Sequence, residues 1–169
     1  MILAMDLSMS GTAFAVLDLC EDGIKVVETV YVDTKPYASK NHGFRLNIIR
    51  KALRELLHKY EFRAVVREKG FSRFYKSTQA LFKVQGVVDM VLYDEGFTDN
   101  IWEIAPNMVK KMVTGKGNAK KWEVAKYVRK HLIPNQQKMT FKTYDISDAI
   151  AVGITFLYLE AYKSEVSES

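Results

Sequence analysis

The stretch MILAMDLSMSGTAFAVLDL, residues 1–19, decides how the rest of the chain is read. Apolar residues run through Leu3 to Leu7, small residues from Ser8 to Gly11 interrupt them, and a second apolar run reaches Leu17. Short apolar runs bounded by turn residues predict two buried strands joined by a tight turn. GIKVVETVYVD, residues 23–33, alternates apolar with polar side chains and makes a third strand. Three strands in such close succession predict an antiparallel meander. Asp6 breaks the pattern. It is the only acid in the first strand, near its carboxyl end, and a buried lone carboxylate costs roughly several kcal/mol unless it is paired, hydrogen-bonded or bound to a cation.

Downstream, apolar residues recur at Leu46, Ile49, Leu53, Leu56, Leu57 and Tyr60, with Arg45, Lys51, Arg54 and Lys59 on the wet side, so His42 to Tyr60 is an amphipathic helix. RAVVREKG (63–70) predicts a short strand, STQALFKVQGVVDMVLY (77–93) a helix, and IWEIAP (101–106) another short strand. After Pro106 come a short helix, a loop TGKGNAK (114–120), a helix from about Lys120 to Leu132, a loop through Pro134, and a last helix from about Asp145 to Tyr162. The polar tail KSEVSES (163–169) is expected to fray. Strands followed by alternating strands and helices predict one α/β domain over residues 1–162, a single mixed sheet with helices packed on it.

Bulk composition excludes several classes. The 169 residues suffice to bury a core without staples, and 48% apolar with 27% charged residues is an ordinary globular balance. The longest apolar run, Ala149 to Leu159, is too short to cross a membrane, and no stretch resembles a signal peptide. The lone Cys20 excludes an internal disulfide and any cysteine-based zinc site, and it is consistent with a cytoplasmic protein. His42, His58 and His131 are scattered, which leaves a histidine-dependent nucleophile without support.

The acids are more informative. Glu68 closes the strand AVVRE as Asp6 closes the first. In YDISDAIAVGITF (144–156), Asp145 and Asp148 stand at i and i+3, so a helix carries both on one face about one turn apart. That spacing suits a shared divalent cation, and it equally suits the cap of a helix, whose N-terminus favours negative charge. Ligands of open sheets bind off the carboxyl ends of the strands. If the last helix packs its N-terminus there, four carboxylates converge, and they stay ionised together only around cations such as Mg²⁺, which prefers hard oxygen ligands. The net charge is +5, but the cations are grouped: eight Lys or Arg between Pro106 and His131 face one acid, Glu123, and six between Arg63 and Lys83 face Glu68 alone. Such fields either belong to solvated helix faces or mark a polyanion partner such as nucleic acid.

The order of an Asp on the first strand, a Glu on the fourth and D-x-x-D opening the last helix resembles the ribonuclease H-like superfamily, and within it the RuvC family of Holliday junction resolvases. ILAMDLSMSGTAFAVL resembles that family's opening strand and hairpin, and REKGFSRFYKSTQALFKVQGVV its glutamate segment and long helix. APNMVKKMVTGKGNAKKWEV resembles its basic segment, and YDISDAIAVGITF its closing helix. The resemblance implies a ribonuclease H-like mixed sheet of five strands, three antiparallel and then two parallel, flanked by helices. It implies a homodimeric, metal-dependent endodeoxyribonuclease that makes paired symmetric nicks in four-way DNA junctions. Asp6, Glu68, Asp145 and Asp148 would be the catalytic carboxylates and hold two Mg²⁺ ions, for which Mn²⁺ would substitute. Lys110 and Lys121 would contact DNA phosphate near the cut, Phe71 would act on bases at the crossover, and Arg73, Lys76 and Lys116 would assist with the DNA. The helix Ser77 to Tyr93, with Ala80, Leu81, Val84, Val87, Val88 and Val91, is the expected dimer face unless those residues are core. Two other functions fit the same residues: a nuclease that debranches DNA more broadly, as in phage DNA processing before packaging, or a catalytically silent junction-binding protein. The sequence departs from the family where Leu7 and Ser8 replace the usual Pro-Gly, where the hairpin is shorter, and at Arg67, a position commonly apolar. Arg67 either pairs with an acid across the sheet or reaches DNA.

Overall fold

The computed structural model describes residues 1–70 and 75–167. The first three strands are β1 (Ile2–Asp6), β2 (Gly11–Cys20) and β3 (Gly23–Asp33), each paired antiparallel to the next. Helix α1 (His42–Lys59) leads to β4 (Ala64–Glu68), and α2 (Tyr75–Asp94) leads to β5 (Ile101–Ile104). Both later strands run parallel to β1, in the sheet order β3-β2-β1-β4-β5, as the resemblance implied. Three helices complete the chain: α3 (Pro106–Thr114), α4 (Lys121–Val128) and α5 (Tyr144–Ser167).

The pleat sorts the core into two layers. Leu3, Met5, Phe14, Val16 and Val65 face α1 and α2, where they meet Ile49, Leu53, Val84, Val88 and Leu92. Ile2, Ala4, Ala13, Ala15 and Val66 face the other side, against Val109, Val124, Val128, Ile150 and Ile154 of α3, α4 and α5. Central β1 is covered on both faces, so its residues through Met5 read as an unbroken apolar run. Burying each such aliphatic side chain contributes about 1.5–3 kcal/mol.

Local signals set the helix ends. The Asn41 side chain caps α1 by accepting from the Phe44 amide at 2.9 Å. Pro106 opens α3, and Gly115, at φ 78°, closes it in the left-handed conformation that disfavours a side chain. Gly153 has a different task. A Cβ there would collide with Leu17 Cδ1 and stand 3.0 Å from Ala4 Cβ, so the glycine lets α5 lie directly on β1 and β2.

Four details differ from the sequence reading. Helix α4 ends at Val128 and a 3-10 turn takes Arg129–His131, where the Arg129 side chain bonds the Ala125 and Met139 carbonyls. Helix α5 extends to Ser167, past the expected end at Tyr162, with Lys163 Nζ seated 4.7 Å from the Trp102 ring centroid. Arg45 is not on the wet side of α1. It is buried, and its guanidinium donates to Thr34 Oγ1 at 3.1 Å and the Met9 carbonyl at 3.0 Å, which ties α1 to the turn following Asp6. Val84, Val88 and Val91 are buried core residues, and Ala80 and Leu81 pack against the same cluster, so the apolar face expected at a dimer interface belongs to the protein's own core. No helix among the described residues is long and apolar enough to cross a membrane.

Candidate active site

Asp6 is the last residue of β1, and the parallel pairing that ends at Met5 and Arg67 sets it beside Glu68, the last residue of β4. The two side chains share the face occupied by Ala4 and Val66, against α3, α4 and α5. Alternation sends Arg67 to the opposite face, where it meets Asp89 of α2 and donates from Nε to Glu103 of β5 at 2.9 Å. This answers the question raised by Arg67: it is buried and pairs with acids on the sheet face away from the cleft. The adjacent arginine and glutamate therefore do separate jobs, one joining the sheet to α2 and the other facing the cleft.

The N-terminus of α5 brings the remaining acids. Asp145, Asp148 and Asp6 each present a carboxylate oxygen, and these atoms lie within 4.8 Å of one another. Glu68 stands outside that trio, on the wall of a cleft of about 170 Å³ that it shares with Asp6, Asp148, Lys110 and Lys121. Helix α3 supplies Lys110 and the first residue of α4 is Lys121. The Lys121 ammonium bridges two acids, 3.2 Å from Asp145 Oδ1 and 3.1 Å from Asp148 Oδ2.

Electrostatics follow from that crowding. Burial, then the charges of Asp148 and Glu68, push the Asp6 carboxyl up to about 8, with Lys121 only partly offsetting them. Glu68 is raised by burial and then by Asp148, against the pull of Lys110 and Lys121. Asp148 is raised by burial despite its bond to Lys121. For Lys121, burial opposes the charged form, but Asp148 and Asp145 prevail and hold its pKa above the ordinary lysine range. Four acids against two lysines leave a site that favours further positive charge, and its donors are the hard oxygens that suit Mg²⁺ or Mn²⁺.

The expected site residues thus separate. Asp6, Glu68, Asp145, Asp148, Lys110 and Lys121 come together at one place. Lys116 is exposed on the turn after α3 and Lys76 is exposed near the start of α2. Phe71 and Arg73 lie outside the described residues. Tyr31 was not foreseen. Its hydroxyl occupies the space where Gly11 lacks a side chain, and burial first, then the Asp145 charge, raise its pKa. Its alternating strand gave only a half-buried tyrosine, with no mark of the helix end it would meet. A larger groove of about 510 Å³, bounded by Trp102, Met108 and Phe156, lies elsewhere and is mostly apolar. Its two acids, Glu103 and Glu160, pair with Arg67 and Arg63, so the chemistry belongs to the smaller cleft.

Comparison with known proteins agrees with this layout. The family model of crossover junction endodeoxyribonuclease RuvC matches residues 2–156. The protein of that name from Ehrlichia canis (strain Jake) is 32% identical over 159 residues, which cover 93% of this chain and 96% of its own. That from Prochlorococcus marinus (strain MIT 9211) is 31% identical over 159 residues, covering 93% and 95%. The structure of Thermus thermophilus RuvC superposes with a TM-score of 0.81 at 22% identity, over 96% of each chain. The fowlpox virus Holliday junction resolvase gives 0.58 at 15% identity, over 94% of this chain and 97% of its own. At those identities the solved structures speak for a shared fold, and it is the match along residues 2–156 together with relatives above 30% that decides membership: this chain belongs to the RuvC family.

Proposed function

We propose that this protein is a Holliday junction resolvase, an endodeoxyribonuclease that makes paired symmetric nicks in four-way DNA junctions by metal-dependent phosphodiester hydrolysis. The observation that carries the reading is the meeting of acids from three separate elements: Asp6, Glu68 and Asp148 line one cleft, and Asp145 joins Asp6 and Asp148 in a trio of carboxylates. Nothing in folding requires it, since like charges brought together oppose folding. In this reading Asp6, Glu68 and Asp148 hold two Mg²⁺ ions, with Mn²⁺ able to substitute, and Asp145 completes the donor set at the helix end. When bound, such ions activate the attacking water and stabilise the leaving 3′ oxygen.

The rest of the work falls to the chain. Lys110, beside Glu68 in the cleft, would hold the scissile phosphate, and exposed Lys116 and Lys76 would extend the basic surface along the DNA arms. Arg73 is assigned to the same surface, and Phe71 to stacking on bases at the crossover. Two symmetric cuts call for two copies of the site, hence a homodimer. With the core face of α2 occupied, we assign the interface to its opposite side, where Tyr75, Phe82, Met90 and Tyr93 are each more than half exposed. Exposed Gly86 lies between them with no neighbour within 4 Å of a built Cβ, which permits a close helix approach.

The test is a set of near-isosteric substitutions. Asp6→Asn, Glu68→Gln, Asp145→Asn and Asp148→Asn should each lower cleavage of a synthetic junction at least about a hundredfold, while binding stays unchanged or tightens because less negative charge faces phosphate. Near-normal cleavage by the Glu68→Gln protein would remove glutamate from the metal centre.

A further inference from the structure

Lys121 is oddly placed for a DNA-contacting lysine. It is the first residue of α4, where the helix dipole disfavours a cation, yet its ammonium is held by two carboxylates at 3.2 and 3.1 Å. Those carboxylates belong to the trio whose oxygens lie within 4.8 Å of one another, so the ammonium sits on two of the carboxylates that a divalent cation would need. The lysine side chain is 58% exposed, which leaves it a path out of the cleft. Lys110 also faces the acids, but the structure gives it no ion pair with them, so the two lysines are not equivalent.

We infer that Lys121 is the resident counter-cation of the metal-free site, and that a divalent cation entering between Asp145 and Asp148 displaces its ammonium toward the phosphate backbone of bound DNA. This rests on the reading of the acid cluster as a metal centre. One ammonium cannot keep both partners at once. Before loading, it offsets repulsion that would otherwise splay the α5 terminus from β1. After loading, the dication performs that task and the freed ammonium becomes a phosphate contact. Metal and DNA affinities are then coupled, and by linkage each tightens the other. A lysine that served only DNA would show no such dependence on metal.

The ammonium itself can be watched. Nitrogen-15 NMR of lysine side chains, on the full chain without DNA at low temperature, should reveal an ion-paired Nζ signal in EDTA that is missing from Lys121→Arg. Saturating Mg²⁺ should abolish or shift that signal, following the same titration curve as calorimetric Mg²⁺ binding. Calorimetry should also rank the variants: Lys121→Met, which has no competitor, should bind Mg²⁺ roughly three- to tenfold tighter than wild type, and Lys121→Arg, a bidentate competitor of equal charge, more weakly. Mg²⁺ binding with an unmoved Lys121 signal would overturn the displacement while sparing the metal centre. Lack of any Lys121-specific signal in EDTA would overturn it as well, and failure of Mg²⁺ to bind at all would bring down the metal-centre reading beneath it.

Discussion

At the scale of single residues, Asp6 bears most of the electrostatic tension. Its carboxyl rises from an ordinary 3.8 to about 8 in the folded chain, so between those values the folded protein retains a proton that the unfolded chain has released. The Asp6 contribution to stability is therefore fully present below about pH 4 and is lost as pH climbs toward 8, by up to roughly a few kcal/mol in metal-free protein. Melting in EDTA should show a lower Tm at pH 8.5 than at pH 5.5, with the drop much reduced in Asp6→Asn and by added Mg²⁺. Equal slopes for wild type and Asp6→Asn would contradict this account of Asp6. The acid itself was legible in the sequence, because a carboxylate in an apolar strand needs a reason. The Lys121 bridge was not, because nothing in a run of lysines tells which one turns inward. Arg45 hid for the opposite reason: helical periodicity assigned it to water, while its acceptors, Met9 and Thr34, lie far away along the chain.

At the scale of elements, the site depends on two registers, β4 beside β1 and α5 upon both. The strand pair was readable from its acids at matching ends, since a parallel neighbour with the same ending lines them up. The seating of α5 was only half readable. The apolar run from Ala149 marked a buried helix, but the depth at which it packs is set by Gly153, whose contact with Leu17 and Ala4 no periodicity encodes. Gly153→Ala should overpack this contact and cost about 1–3 kcal/mol. Because the same helix carries Asp145 and Asp148, its displacement should also weaken Mg²⁺ binding, as measured by calorimetry on the folded variant. A stabilised Gly153→Ala protein with unchanged Mg²⁺ affinity would show that α5 does not need this close approach.

At the scale of the whole molecule, the helices α1 and α2 close one face of the sheet, and the acids and Lys110 and Lys121 gather by the other, at the carboxyl ends of β1 and β4. The mixed five-stranded sheet was readable in outline from the meander and the strand–helix alternation that follows it. Of the two readings open for the α2 valines, the core one holds for Val84, Val88 and Val91; valine spacing alone cannot tell a partner from the protein's own sheet. The exposed aromatic and methionine side of α2 provides a direct check: Phe82→Glu should yield a folded monomer by sedimentation, still able to bind Mg²⁺ but no longer making paired cuts. A dimer of unchanged stability would move the interface elsewhere.

Cutting of four-way junctions by this acidic cleft, as a metal-dependent pair, is the proposed activity. It is tested by incubating the protein with an end-labelled mobile four-way junction in Mg²⁺ or EDTA, beside three-way and linear duplex controls. Symmetric nicks are expected on opposing strands of the four-way junction, dependent on Mg²⁺, lost in Glu68→Gln, and scarce on linear duplex. Equal cutting of all three substrates would instead indicate a broader debranching or general nuclease, and tight junction binding with no Mg²⁺-dependent nick would show a junction-binding protein without resolvase activity.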